Sequence, residues 1–244
     1  MIDCNPVVTP VDGNQRLSKE MSPKDECEKQ RMALVPFREL VGGLQFLAQC
    51  TRPDIAYAVN CVGSFSSNPG EAHWTAAKRI LRYLEGTKLM KLVDVKQNDR
   101  AFEGFSDADW GNDSESKRSI TGYVFQFAGR SVSWSFHKQP TVALSTAEAG
   151  YMTMSAAAQE ALWWRGFRSE ILGVHHLVRI TVCLAEKEIG YSPRSKHINL
   201  RHRFVREQVE LKTIKLLHVE SKQQKADVLT KPLTGQKFLD AMKA

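Results

Sequence analysis

Two aspartates that lie far apart in the sequence are the residues best suited to carry chemistry. Asp107 ends an aromatic, apolar run that begins near Phe102, and Asp227 opens a short helix-like run that Pro232 closes. Carboxylates so widely separated can converge on a divalent metal ion when an α/β domain folds. Asp109 would return to the same strand face as Asp107. The alternative for each of the three is a polar residue at the end of a strand or helix.

The elements that must position these carboxylates lie in the second half of the chain. From about residue 100 the apolar residues alternate, as in strands. Ser145 and Glu148 form a Ser-x-x-Glu capping box, which predicts a helix reaching about Leu172. The predicted strands cover 102–110, 119–127, 131–136, 178–183 and 213–219. The predicted helices cover 145–172, 195–211 and 223–231. This order predicts an α/β fold, a five-stranded mixed sheet with flanking helices.

The first third of the chain has a different pattern. Residues 1–35 are polar and interrupted by prolines, which predicts a linker or a partly ordered arm. Leu40, Leu44 and Leu47 then recur at helical spacing, which indicates a small helical subdomain. The predicted domains are therefore a linker at 1–35, a helical segment at 36–93, the α/β domain at 98–233 and a tail at 234–244.

The composition favours an anionic partner. The chain of 244 residues has a formal net charge of +7, which points first to nucleic acid, although an ordinary basic protein has the same balance. Five widely spaced cysteines without a C-x-x-C pair predict neither a zinc knuckle nor a disulfide framework. Reduced thiols suggest an intracellular protein, with cytoplasm and nucleus both open. We expect no membrane contact, because no apolar run reaches the ~18 residues of a span, and no secretory signal.

Six sequence motifs of four to eight residues are specific enough to indicate a family. They read SDADW at 106–110, RSITGYVF at 118–125, VSWS at 132–135, KQPTVALS at 138–145, SKHI at 195–198 and ADVLTKPL at 226–233. Together they resemble the ribonuclease H region at the end of a copia-type retrotransposon Pol polyprotein. Upstream, 51–59 and 73–84 resemble the segment that follows the polymerase palm in the same polyproteins. Reverse transcriptases need two adjacent aspartates, which this chain lacks, so we expect no polymerase activity.

The resemblance implies an activity and its cofactors. The family hydrolyses the RNA strand of an RNA–DNA hybrid with two Mg²⁺ (or Mn²⁺) ions, which four acids usually hold. By match to the motifs, the first acid is Asp107 and the last is Asp227, and Asp109 is a possible further ligand. The implied partners are an RNA–DNA hybrid or another nucleic acid and the remainder of the Pol polyprotein.

At two of the four positions where the family has an acid, this chain departs from the family pattern. The second belongs just before the tyrosine of a Ser-Thr-Ala-Glu-Ala-Glu-Tyr motif, where this chain has Gly150. Glu148 lies two residues earlier and faces nearly the opposite side of a helix, so it cannot stand in. The third belongs to a Cys-Asp-Asn-Gln motif, whereas Cys183 is followed by Leu-Ala-Glu-Lys. Glu186 is the nearest carboxylate, and a small deletion is the simplest explanation.

Three functions remain open on this basis. The first is a working, metal-dependent ribonuclease H. The second is a non-catalytic module that binds nucleic acid through basic residues, and the third is a decayed transposon fragment. The candidate phosphate contacts include Arg118, Lys138, Lys196 and Arg203, although for any one of them a solvated face is the favoured explanation. The preferred interpretation is a degenerate ribonuclease H-like domain whose nuclease activity is absent or strongly reduced.

Overall fold

The computed structural model describes residues 4–91, 102–113, 115–173, 177–183, 196–220, 223–233 and 235–243, with only the backbone of 172, 196–199 and 242–243. Residues 1–92 and 231–244 form one compact unit, and residues 93–230 form a second. We call them the helical unit and the sheet unit. The domain limits given above refer to family segments and stay predictions. No helix in the described ranges is long and apolar enough to cross a bilayer.

The helical unit is built from five α-helices within the described residues. They are α1 (Glu26–Ala33), α2 (Phe37–Cys50), α3 (Ala56–Gly63), α4 (Glu71–Gly86) and α8 (Gly235–Lys243). Leu44 of α2, Val59 of α3 and Ile80 of α4 are buried in its core. In α2 the buried stripe is Phe37, Val41, Leu44 and Ala48. The leucine spacing predicted a helix correctly, but Leu47 of that pattern is exposed.

Two of these helices were not predicted from the sequence. In α1 the Asp25 side chain accepts the Glu28 N–H at 2.7 Å, and the Glu28 carboxylate accepts the Lys24 N–H at 2.9 Å. These two bonds cap the start of α1. The helix buries none of its residues, so the sequence contains no apolar stripe that would have predicted it. Helix α8 buries Phe238, whose ring meets that of Tyr83 at 5.7 Å.

The sheet unit confirms the predicted fold class. Its strands are β1 (Phe102–Asp109), β2 (Ile120–Phe127), β3 (Arg130–Lys138), β4 (Val178–Val182) and β5 (Ile214–His218). They lie in the order β3-β2-β1-β4-β5, with β1, β2 and β3 antiparallel and β1, β4 and β5 parallel. The helices are α5 (Thr146–Leu172), α6 (Lys196–Glu210) and α7 (Asp227–Thr230).

The core of the sheet unit lies between the sheet and α5. Phe125 and Ile180 from the sheet are fully buried beside Ala157, Ala158 and Ala161 of the helix. A row of alanines lets the helix backbone approach the strands closely, so the large side chains come from the sheet. This packing fixes how the N-terminal end of α5 lies relative to the strands.

Candidate functional site

Strand β1 places Asp107 in a nearly buried position. Its side chain is 7% exposed, and its cross-strand partner in β2 is Gly122. Ala108 pairs with Thr121 in the next position of the register. Because side chains alternate along a strand, Asp107 and Gly122 share one face of the sheet, whereas Ala108 and Thr121 share the other.

Helix α5 covers the face that carries Ala108 and Thr121. The hydroxyl of Thr121 lies 2.9 Å from that of Thr153 on α5. Ala108 packs against the small cluster that contains Ala149 and Met152 of the same helix. The long helix therefore reaches the sheet on the face opposite to the Asp107 side chain.

Helix α7 covers the face that carries Asp107. The Thr230 hydroxyl donates a hydrogen bond of 2.5 Å to the Oδ2 atom of Asp107. The same hydroxyl oxygen is 3.4 Å from the backbone carbonyl oxygen of Asp227. The fold thus brings the short helix that begins at Asp227 onto β1 beside Asp107, although the two aspartates are far apart in sequence.

Gln224 ties the segment before α7 to the same strand. Its amide Nε2 donates to the carbonyl oxygen of Ser106 at 3.0 Å, and its Oε1 accepts the N–H of Ala226 at 3.2 Å. The side chain is 4% exposed. The sequence did not mark Gln224 or Thr230 as functional residues. Thr230 lies inside the ADVLTKPL motif, and that was the only signal available for it.

The capping role predicted for Glu148 is confirmed. Its carboxylate accepts the N–H of Leu144 at 2.7 Å, and its own N–H donates to the Ser145 hydroxyl at 3.1 Å. The side chain is 2% exposed and reaches back to the start of α5. Gly150, which the resemblance aligns with the second family acid, is buried in the first turns of the same helix. It lies one turn before Thr153, which contacts the sheet.

The position of the third acid gives less information. Cys183 directly follows β4, and its sulfur atom lies 3.5 Å from Gln224 Nε2. Glu186, the nearest carboxylate in the sequence, lies outside the described residues. Its role as a substitute ligand therefore remains a hypothesis.

Mg²⁺ requires hard oxygen ligands, which carboxylates supply. The carboxylates of Asp107 and Asp227 are the hard oxygen donors that Mg²⁺ prefers, and many Mg²⁺ sites use only one or two carboxylates with water and substrate phosphates. In the described part of the chain, no group of three or more His, Cys, Asp and Glu side chains is placed to hold a metal ion. The described residues therefore offer Asp107 and Asp227 as candidate oxygen ligands and contain no four-acid cluster.

Asp109 is positioned differently from Asp107. It lies at the end of β1 on the same face by alternation, and it is more exposed. Its Oδ2 atom accepts a hydrogen bond from the Asn112 amide. This contact is compatible with the structural role that the sequence left open, and its role as a metal ligand stays a prediction.

Two of the four candidate phosphate contacts lie at the same end of the sheet. Arg118 is exposed just before β2, and Lys138 ends β3 in register with Ile120, the partner of Asp109. Lys138 forms an ion pair of 2.7 Å with Asp113. Partial burial opposes ionisation of Asp113, but hydrogen bonds from Lys138 and Ser116 outweigh it and lower the Asp113 pKa.

The other two candidates lie on α6. Arg203 is exposed, and Lys196 is the first residue of that helix, where only the backbone is described. Among the described side chains, no contact joins Arg203 to Arg118 or Lys138. Their role in binding nucleic acid therefore remains a prediction.

Two transposon Pol polyproteins are similar in sequence to this chain along nearly its whole length. It is 40% identical over 244 residues to the retrovirus-related Pol polyprotein from transposon TNT 1-94 of Nicotiana tabacum, covering 98% of this chain and 18% of that protein. It is 36% identical over 249 residues to the Pol polyprotein from transposon RE1 of Arabidopsis thaliana, covering 98% and 16%. The chain belongs to the copia-type Pol polyprotein family. No family model matches it.

This chain spans less than a fifth of the length of these two relatives. A solved structure of foamy viral protease-reverse transcriptase in complex with dsDNA has a similar fold, with a TM-score of 0.50 and 10% identity over 81% of this chain and 42% of that one. Identity this low bears on the fold alone. Together with the five-stranded sheet, it supports a ribonuclease H-like domain in this Pol region.

Proposed function

We propose that this Pol region is a degenerate ribonuclease H-like domain. The family activity is hydrolysis of RNA in RNA–DNA hybrids, and in this chain that activity is absent or strongly reduced. The observation that carries the proposal is the glycine at position 150, a buried site on α5 that offers no carboxylate. A helical segment derived from the end of the reverse transcriptase precedes the domain, without polymerase activity.

The neighbouring glutamate does not compensate for this loss. Both the N–H and the carboxylate of Glu148 are engaged at the start of α5, with Ser145 and Leu144. Releasing that carboxylate would leave the Leu144 N–H and the helix start without their cap, which costs about 1 kcal/mol. Moving it to the position of the second acid would also require a change of helix face.

The remaining carboxylates define how a cation would be held. Asp107 and Asp227 would bind Mg²⁺ or Mn²⁺ more weakly than four acids do. A divalent ion in such a site activates water and stabilises charge on phosphate oxygens. The chain's own contribution is to hold Asp107 in a nearly buried position, with its Oδ2 atom bonded to Thr230.

The decisive experiment measures cleavage of an RNA–DNA hybrid in Mg²⁺ and in Mn²⁺. The natural chain is compared with a repaired variant carrying Gly150→Glu, Leu184→Asp, Ala185→Asn and Glu186→Gln. We expect no significant cleavage by the natural chain and measurable cleavage by the repaired variant. Gly150→Glu alone should restore little, because acids that act as a unit do not contribute additively.

Asp107→Asn serves as the matched control in both backgrounds. It should abolish the cleavage recovered by the repaired variant. Robust Mg²⁺-dependent cleavage by the natural chain, lost on Asp107→Asn, would show that the domain is still an active ribonuclease H and that the acids are misassigned. The same result would make Glu186 the first residue to substitute in a search for the missing ligand.

A second candidate function is non-catalytic binding of nucleic acid. It is favoured by the net charge of +7 and by the location of Arg118 and Lys138 at one end of the sheet. We expect weak binding to duplex or hybrid that falls steeply as salt rises, because phosphate contacts release counterions. The partners would be a hybrid or another nucleic acid and the rest of the polyprotein, inside the cell. A folded chain that shows no binding at low salt would favour a decayed fragment.

A further inference from the structure

Thr230 touches both members of one cross-strand pair. Its hydroxyl donates to Asp107 Oδ2 at 2.5 Å. A Cβ atom built on Gly122, the partner of Asp107 in β2, would lie only 2.5 Å from the Thr230 methyl carbon. Thr230 itself is 0% exposed. One side chain from α7 therefore fills the space above Gly122 and binds the carboxylate beside it.

The two contacts reinforce each other through the shape of the threonine side chain. A β-branched residue has few accessible χ1 rotamers, especially in a helix. With the methyl group packed against Gly122, the hydroxyl is directed at Asp107. Serine has the hydroxyl without the methyl group that directs it, whereas valine has the shape without the donor.

The hydroxyl has a single proton to donate. Two acceptors lie near its oxygen, Asp107 Oδ2 at 2.5 Å and the carbonyl oxygen of Asp227 at 3.4 Å. The shorter contact has the geometry of a charge-assisted hydrogen bond to a carboxylate, and the longer one is at the limit of the range. The proton is therefore directed to Asp107, which restricts rotation of that carboxylate.

We propose that Thr230 is a positioning residue for Asp107, holding its carboxylate in the orientation that binds a divalent cation. The proposal rests on the proposed function in one respect, since it takes Asp107 as a metal ligand. Groups that orient a ligand from outside the first coordination sphere change metal affinity by about 10- to 100-fold. The competing explanation is that Thr230 only fastens α7 to the sheet.

The test measures Mn²⁺ affinity of the full chain by electron paramagnetic resonance, with the thermal midpoint recorded for each protein. Thr230→Val removes the donor at nearly constant shape, and Thr230→Ser keeps the donor. Thr153→Val is the matched control, because Thr153 is equally buried but its hydroxyl meets Thr121 on the opposite face of the sheet. Asp107→Asn establishes which part of the Mn²⁺ signal depends on Asp107.

We expect Thr230→Val to weaken the Asp107-dependent Mn²⁺ affinity about tenfold. Thr230→Ser should stay within about threefold of the natural chain, and Thr153→Val should lower the thermal midpoint without changing Mn²⁺ affinity. Equal Mn²⁺ affinity for Thr230→Val and the natural chain would overturn the proposal. So would equal losses for valine and serine, which would assign the effect to packing, or the absence of any Asp107-dependent binding.

These outcomes are separable from failure of the proposed function. If the natural chain cleaves hybrids well, the degenerate assignment fails, yet the comparison of valine with serine at position 230 still reports on Asp107. If the natural chain is inactive and the two Thr230 variants bind Mn²⁺ as it does, only the positioning role fails. If the valine variant does not fold, Thr230→Ala takes its place, because it also lacks the hydroxyl. Mn²⁺ affinity of Thr230→Ala equal to that of Thr230→Ser would then overturn the proposal.

Discussion

The helical unit and the sheet unit stabilise a buried charge through different kinds of contact. In the helical unit, the buried Asp54 accepts hydrogen bonds from Arg52 at 2.7 Å and from the Tyr83 hydroxyl at 2.7 Å. Arg52 also donates to the Thr87 hydroxyl at 2.7 Å. Burial opposes the charge of Arg52, but Asp54 outweighs it and raises the Arg52 pKa. Every member of this network has a partner of complementary charge or polarity.

The sheet unit contains a buried cation of another kind. Arg168 on α5 is 5% exposed and lies over the rings of Phe102 and Phe127, at 5.3 and 5.0 Å. In the part of the chain that the structure describes, its buried Nε atom has no hydrogen-bond partner. Burial alone lowers the Arg168 pKa. Among the described residues, the contacts found for this guanidinium are the two aromatic faces.

Within the described residues, the two units differ in how completely these buried charges are hydrogen-bonded. The helical unit keeps a complete polar network that joins the 51–59 and 73–84 motifs. The sheet unit has a packed core and a regular strand order, but in the described ranges the Nε atom of Arg168 has no hydrogen-bond partner. Gly150 lies where the family resemblance predicts an acid. A fold can survive such changes because apolar packing supplies most of its stability, whereas a metal site depends on every ligand.

The largest effect should come from breaking the complete network. Asp54→Ala leaves the guanidinium of Arg52 without its carboxylate, and breaking a buried pair in this way costs about 3–5 kcal/mol. Urea unfolding should show this loss in the free energy of unfolding. The control is Glu85→Ala, which removes the exposed partner of Lys88 and should change little. A similarly small effect of both variants would contradict a stabilising role for the network.

The next effect tests how α7 packs on the sheet. Gly122→Ala would place a Cβ atom 2.5 Å from the Thr230 methyl carbon and 3.1 Å from Leu229 Cβ. Such overpacking costs about 1–3 kcal/mol, and the displacement of Thr230 should also weaken Mn²⁺ binding. Gly42→Ala on α2 is the matched control. No atom lies within 4 Å of its added Cβ, so it should stabilise the protein by about 1 kcal/mol.

The third prediction concerns Arg168, the buried cation over the two phenylalanine rings. Arg168→Leu removes a buried charge and its unbonded Nε atom while keeping apolar volume beside Phe102. We expect the free energy of unfolding to rise by about 1 kcal/mol, since replacing a poorly compensated buried charge with an apolar group is often stabilising. Arg52→Leu, at the paired arginine, should be strongly destabilising in the same assay. A loss of stability in Arg168→Leu would mean that the ring contacts outweigh the cost of burial.

The smallest effect is a pH dependence in the helical unit. His73 is 0% exposed, and its Nδ1 accepts the Gly70 N–H at 2.9 Å while Nε2 faces the Ser18 carbonyl oxygen at 3.0 Å. Burial lowers the His73 pKa below its usual 6.5 despite the contact with Ser18. The unfolded chain therefore binds the proton first as pH falls.

Stability should accordingly decrease as pH falls below about 6.5, by no more than about 1.4 kcal/mol per pH unit, and level off below the folded pKa. Urea unfolding between pH 5 and 7 measures this slope. His73→Gln removes the titrating group and should flatten it. A slope that is unchanged in this variant would assign the pH dependence to other groups.

Much of the fold could be predicted from the sequence, because strong local patterns agreed with one another. Alternating residues marked all five strands, and the Ser145–Glu148 capping box located the start of α5. The two missed helices were missed for different reasons. Helix α1 buries no residue and so lacks an apolar stripe. Helix α8 has apolar residues at helical spacing, Phe238, Leu239 and Met242, which the assignment of a tail overlooked. The domain limits and the roles of the site residues still await experiment.

The sequence by itself determined the order of the elements and the family, because both depend on residue identity and local spacing. The assignment of Gly150 to the position of the second acid rests on the same motifs and stays a prediction. Only the tertiary structure decided which face of the sheet each helix covers. It also decided that Thr230 meets both Asp107 and Gly122, and that Arg168 is buried over two phenylalanine rings. These contacts join residues remote in sequence, so they depend on strand register and helix packing, which no local pattern encodes.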